Sequence, residues 1–237
     1  MATAKDMFAS LDKSMTDLKR RKTVVVGEVG SGKTCLCRYI AGEYDETNES
    51  RLSGFSVTTE IKTYRGKYLG VDSSSTQVQY TMVDSEGYGA DTYTTDNLRN
   101  QLITALKFET ELNCVIICVN MGRFRNGLKD DLTHLIGVIM TLGLEKDHLL
   151  FIFTHCEMYK QEKKEEYVAQ FKKYYNFDFG NNYVFGCFAN MSEVNENYAP
   201  FIIKDVLASV TMIRQKITEK EAMINVASKI YAMEQPK

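Results

Sequence analysis

Eight consecutive residues, Gly27-Glu28-Val29-Gly30-Ser31-Gly32-Lys33-Thr34, restrict the folds open to this chain more than any other feature. They match G-x-x-x-x-G-K-[ST] in full. The β-branched run Thr23-Val24-Val25-Val26 precedes them and a helical pattern over Lys33 to Ala41 follows, the strand–loop–helix setting in which the motif acts. Its glycines let backbone N–H groups turn inward at a helix N-terminus, where the peptide dipoles already favour an anion. Gly27, Glu28, Val29, Gly30, Ser31, Gly32, Lys33, Thr34 and Cys35 are therefore the expected phosphate-side residues. Lys33 is expected to bridge the β- and γ-phosphates of a nucleotide. Thr34 is expected to place its hydroxyl on Mg²⁺, a hard cation that takes oxygen ligands.

The rest of the chain alternates strand and helix patterns. Polar residues from Glu43 to Ser53 read as a loop, and Val57 to Tyr68 and Thr76 to Val83 as strands joined through Gly70 to Ser75 that pair as a hairpin. A helix is expected at Asn97 to Phe108, a buried strand at Cys114 to Val119, and a helix marked by Leu128, Leu132, Leu135, Ile139 and Leu142. Leu149 to Phe153 reads as a strand, Gln161 to Tyr175 as a charged helix, Tyr183 to Phe188 as a strand, and Ile202 onward as a long helix. Alternation of this kind implies an α/β fold, a mostly parallel sheet covered on both faces, with its ligand beyond the carboxyl ends of the strands. Met7, Leu11, Met15 and Leu18 fall on one face of an N-terminal amphipathic helix that ends in Lys19-Arg20-Arg21-Lys22. That basic run has two readings, a solvated flank and a contact with anionic lipid. The expected organisation is an N-terminal helix over 1–21, one nucleotide domain over 22–199, and a helical extension over 200–237 packed on it.

Composition narrows the partners. The 237 residues suit one well-buried domain, and 29 basic against 31 acidic residues leave a net charge of −2 that draws the chain to no nucleic acid. The six cysteines lie partly in apolar stretches and read as small buried hydrophobes of a reducing cytosol, and the three histidines have no ligand-like spacing. No apolar run approaches the ~18 to 20 residues that span a bilayer.

Asp84-Ser85-Glu86-Gly87 has the D-x-x-G form at the end of a predicted strand. Asp84 is expected to hold Mg²⁺ through water, and the Gly87 N–H to meet the γ-phosphate. Thr58 and Thr59 are candidates for the second hydroxyl on the metal, a contact that exists only with a γ-phosphate and so makes that loop a switch.

Asn120-Met121-Gly122-Arg123-Phe124, directly after the Cys114 to Val119 strand, is not a general feature of P-loop proteins. It resembles the AIG-type GTPases, the GIMAP or immunity-associated nucleotide-binding proteins, which carry G-R-F or G-R-Y there. The similarity runs from about Lys22 to Tyr198. Ser56-Val57-Thr58 is similar to the family's switch I segment and favours Thr58 as the metal-side hydroxyl, while Phe153-Thr154-His155 resembles its base-recognition segment. Phe188-Ala189-Asn190 resembles its F-x-N, which puts Asn190 among the nucleotide contacts, and the plant chloroplast-import receptor GTPases are similar in having T-H at the base site. The resemblance implies a three-layer P-loop NTPase fold of the G-domain kind. It also implies GTP or GDP with Mg²⁺ as cofactors, self-association in the GTP state and, in some settings, a membrane surface.

This chain departs from the family pattern in two places. The usual D-T-P-G is Asp84-Ser85-Glu86-Gly87, which implies a less rigid switch II with an extra carboxylate. The usual N-K-x-D is Thr154-His155-Cys156-Glu157, where Glu157 is read either as the acceptor for guanine N1–H and the exocyclic amine or as the first charge of the next helix. His155 is expected to stack on the base. Tyr88 stands where small GTPases often carry a water-orienting glutamine, so intrinsic hydrolysis is expected to be slow. Lys33, Thr58 and Gly87 are the expected catalytic set; Glu86 as a water-orienting carboxylate and Arg99 as a charge donor across a dimer are the alternatives to the favoured reading of both as solvated surface residues. The alternative is a P-loop ATPase or nucleotide kinase specific for adenine, for which no lid segment is seen.

Overall fold

The computed structural model describes residues 19–42, 61–71, 77–87, 100, 103–107, 110–121, 128–157, 159–188 and 199–234. Six strands form the central sheet: β1 (Lys19–Gly27), β2 (Lys62–Val71), β3 (Gln77–Asp84), β5 (Cys114–Asn120), β6 (Leu149–Thr154) and β7 (Tyr183–Gly186). Their order is β2-β3-β1-β5-β6-β7. The pairs β1–β3, β1–β5, β5–β6 and β6–β7 are parallel. Strand β2 pairs antiparallel with β3, the expected hairpin. The result is the α/β fold anticipated from the alternation of patterns, mostly parallel with one antiparallel edge.

Both sheet faces are covered, so the inner strands are apolar on both sides. Helix α1 (Lys33–Ala41) and helix α4 (Ala199–Glu219) bury Leu36, Ile40, Val206, Val210, Ile213 and Ile217 on one face, against Val25, Met82, Ile116 and Ile152. On the other, α2 (Leu128–Thr141), α3 (Gln161–Tyr175) and the helical segment 103–107 meet Val24, Val26, Val115, Phe151 and Phe153. Around Phe153 the rings of Phe171, Phe179 and Tyr183 lie 5.3 to 6.1 Å away, edge-on or tilted, an arrangement that adds to plain area burial.

Two expectations about the chain's ends are revised. Strand β1 begins at Lys19, so the boundary placed at 21/22 falls inside it, and the basic run is neither a helix end nor simply solvated. Arg21 is buried, its Nε donates to Thr218 O at 3.1 Å and its guanidinium pairs with Glu221 at 3.7 Å, while Lys22 reaches Glu111 at 3.2 Å. The stretch beyond 200 is not one helix. After Glu219 the chain runs without helix to β8 (Ile224–Asn225), which pairs with β4 (Glu111–Leu112), and resumes as α5 (Ala227–Glu234). Asn113 binds this crossing, giving Nδ2 to Glu221 O and Ala222 O and accepting Lys22 N–H on Oδ1. The amphipathic pattern of residues 1–18 lies outside the described residues. No helix among the described residues is long and apolar enough to cross a membrane.

Candidate functional site

Parallel pairing brings the carboxyl ends of five strands to one edge. Val25 is in register with Asp84, Gly27 with Cys118, Asn120 with Thr154, and Thr154 with Gly186. The glycine-rich loop therefore rises between Asp84 on one side and the ends of β5 and β6 on the other.

Gly27 is required by close approach, since a Cβ there lies 2.4 Å from the Cys118 carbonyl oxygen. Gly30 (φ 75°) and Gly32 (φ 83°) are left-handed, a conformation glycine adopts without steric penalty. Gly32 is also the N-cap of α1, which has no side-chain cap and no acidic residue in its first turn. A helix start of this composition offers its amides and dipole to an anion.

Lys33 is buried, and its Nζ donates to Glu28 O at 2.9 Å, folding the side chain back over the loop. Burial pushes its pKa down, and the nearby Asp84 carboxylate opposes that shift. The Thr34 hydroxyl donates to Asp84 Oδ2 at 2.7 Å, whereas Asp84 Oδ1 is buried without a hydrogen-bond partner. Burial raises the Asp84 pKa, and the Thr34 bond and the charges of Lys33, Arg38 and Lys62 pull the other way. An orphaned carboxylate oxygen beside a threonine hydroxyl is an all-oxygen donor set that suits Mg²⁺. The Ser31 hydroxyl is likewise buried and unpaired.

The D-x-x-G segment touches the loop directly. A Cβ on Gly87 lies 2.6 Å from Val29 Cα, so the two backbones are in contact only because this residue is glycine. Within the segment expected to be less rigid than D-T-P-G, Ser85 is an anchor: it is buried, and both its N–H and its hydroxyl donate to Val25 O, at 3.3 and 2.7 Å. Glu86 is half-buried.

On the base side, Thr154 is buried at the end of β6 and its hydroxyl meets Ser31 O at 2.9 Å. His155 is exposed with φ 56°, and its Nδ1 lies 3.0 Å from the Thr154 hydroxyl. Glu157 is exposed, and burial together with the nearby Glu157 carboxylate pushes the Cys187 thiol up to about 12. The 154–157 turn and the segment after β7 thus meet. Cys35 is half-buried at the start of α1. Thr58, Thr59, Tyr88, Arg99, Asn190 and the Gly122-Arg123-Phe124 segment lie outside the described residues.

Sequence reasoning missed the Thr154–Ser31 contact, the Ser85 anchor and the proximity of Arg38 and Lys62 to Asp84. For Thr154 a signal existed, a hydroxyl at a strand end beside the loop strand's neighbour. For Arg38, one turn beyond Thr34, the helical spacing alone placed it on the same side.

The chain matches no protein-family model and no curated protein. Among solved structures it resembles two crystal structures of Toc33 from Arabidopsis thaliana. One is a dimerization deficient mutant, with a TM-score of 0.58 and 14% identity over 91% of this chain and 88% of that one. The other is a complex with GDP and Mg²⁺, with a TM-score of 0.55 and 15% identity over 91% and 89%. The likeness shows a shared fold.

Proposed function

We propose that this chain is a guanine-nucleotide-binding protein, a GTP/GDP switch with slow intrinsic GTP hydrolysis that self-associates in the GTP state. The reading rests on one observation, the cluster of buried Lys33 and Asp84 with half-buried Thr34 under a glycine loop, with Asp84 Oδ1 lacking a partner. The fold it shares with Toc33, which was crystallised with GDP and Mg²⁺, supports it.

In this reading the loop from Gly27 to Gly32 presents backbone amides to the phosphates, and Lys33 exchanges the Glu28 carbonyl for a phosphate oxygen. Thr34 and Asp84, with Thr58, would hold Mg²⁺, which would supply positive charge to the phosphates. Gly87, pressed against Val29, senses whether a γ-phosphate is present. His155, Glu157 and Asn190 form the base side, where the Glu157 carboxylate accepts donors that guanine has and adenine lacks. Tyr88 orients no water, so turnover is slow until a second protomer or an activator contributes. The cytosol, at or away from a membrane surface, is its expected place.

Thermal stabilisation by GTP and GDP against ATP and ADP, each with Mg²⁺ and with chelator, tests the assignment. Guanine nucleotides are expected to raise the melting temperature in a Mg²⁺-dependent way, and equal shifts with adenine nucleotides would overturn it. Sedimentation with a non-hydrolysable GTP analogue and with GDP tests self-association. A monomer in both states, with turnover per protomer independent of concentration, excludes the dimer.

A further inference from the structure

We propose that Thr154 is a positioning residue that joins the base side and the phosphate side of the site into one hydrogen-bonded unit, holding His155 as the Nδ1–H tautomer. The inference rests on the nucleotide reading above and adds to it which group couples the two halves.

Three atoms lie within reach of the Thr154 hydroxyl: Ser31 O at 2.9 Å, His155 Nδ1 at 3.0 Å and Val119 O at 3.3 Å. A hydroxyl has one proton to give, and carbonyl oxygens only accept. If the proton went to His155, the Thr154 and Ser31 oxygens would face each other at 2.9 Å with no hydrogen between them, in a buried setting where that repulsion is not screened. The hydrogen-bond ladder of helix α1 begins with Leu36 N–H on Gly32 O at 2.9 Å, one residue beyond Ser31, so it does not satisfy the Ser31 carbonyl. The proton therefore lies toward Ser31, and the bond to the imidazole is made by His155 Nδ1–H donating to Thr154.

The other branch of Thr154 points the same way. Its Cγ2 sits 3.7 Å from the position of a Cβ on Gly32, in ordinary contact, and its backbone oxygen accepts Met121 N–H at 3.0 Å. One side chain thus touches the phosphate loop at Ser31, faces the open side of Gly32, and meets the base-side residue that follows it. His155 has a left-handed φ of 56°, which a residue with a Cβ holds only where its surroundings fix it. The bond to Thr154 is one such restraint, so removing the hydroxyl loosens His155 and the Ser31 peptide together.

The test has two arms. In the nucleotide-free protein, ¹⁵N-edited imidazole NMR, with His155→Gln to assign the signal among three histidines, is expected to show Nδ1–H for His155 in the parent and in Thr154→Ser, and its loss in Thr154→Val. An Nε2–H tautomer in the parent overturns the proposal. In the second arm, affinities for GDP, GMP and ADP are measured on the same three proteins. Thr154→Val is expected to lower GDP affinity about tenfold and to shrink both the GDP-to-GMP and the GDP-to-ADP ratios, with Thr154→Ser restoring them. A general structural role would weaken all three ligands alike, and unchanged ratios overturn the coupling. A parent that shows Nδ1–H but binds no guanine nucleotide overturns the functional reading and the coupling with it, while the hydrogen-bond assignment stands.

Discussion

At the phosphate end of the strand edge, Ser31, Lys33 and Asp84 are all at most 5% exposed, and two of their oxygens lack partners. At the base end, His155 and Glu157 are exposed, and what is buried is the aromatic cluster of Phe151, Phe153, Phe171 and Phe179 behind them. The phosphate end holds polar groups in place before any ligand arrives, at the expense of leaving some unsatisfied. The base end keeps its stability in apolar packing and presents its polar groups at the surface. Affinity is thus expected to come mainly from the first and selectivity from the second, a division that substitutions can break.

Lys33→Ala probes the first with the largest effect. It removes a buried cation that a phosphate would meet through a charge-assisted bond, so GDP affinity is expected to fall by roughly a hundredfold or more, about 3 kcal/mol. Titration calorimetry checks this, and parent-like binding would show that the glycine loop alone carries recognition.

Asp84→Asn separates stability from function. Burial raises the Asp84 pKa in the folded state, so folding favours its protonated form. That contribution is complete below the unfolded carboxyl pKa and is lost as pH rises through the higher folded value. Without ligand, the melting temperature of Asp84→Asn minus that of the parent is therefore expected to grow from acid toward neutral pH. Mg²⁺-dependent GTP affinity is expected to fall by about thirtyfold, on the order of 2 kcal/mol. A variant less stable at pH 7 than at pH 4, relative to the parent, would contradict the burial argument.

Glu157→Ala gives the smallest change and the most pointed one. The preference for GDP over ADP is expected to shrink about tenfold, with ADP affinity unaltered. Competition binding reads both. An equal loss for both nucleotides would move Glu157 from reading the base to supporting Cys187.

The same division explains what the sequence disclosed. The phosphate loop was legible because its geometry is a backbone property: Gly27, Gly30 and Gly32 stand where a side chain clashes or a left-handed φ is needed, so residue type reports conformation directly. Strands β5 and β6 were legible from continuous apolar runs, and the hairpin from the turn residues between β2 and β3. Three features depend on tertiary contacts that no local pattern encodes. The basic run at Lys19 was read as a helix end because its partners, Thr218 and Glu221, lie about two hundred residues away in the chain. The anchoring of Asp84-Ser85-Glu86-Gly87 through Ser85 is not legible because its partner is the Val25 carbonyl, an atom every residue has. The break after Glu219 was missed because the pairing that replaces the helix is with β4, a two-residue strand too short to show a period.

The cysteines gain a use from their burial. None is in a disulfide, and Cys37 and Cys118 lie in the core beneath the glycine loop, with burial raising both thiols, Cys118 to about 12. Burial keeps the Cys118 thiol protonated at neutral pH, and the thiolate is the reactive form. An alkylating reagent can therefore label these two sites only when the sheet and α1 part, so the labelling rate becomes a clock for that opening. A ligand seated on the loop slows the clock in proportion to its occupancy, without touching either sulfur.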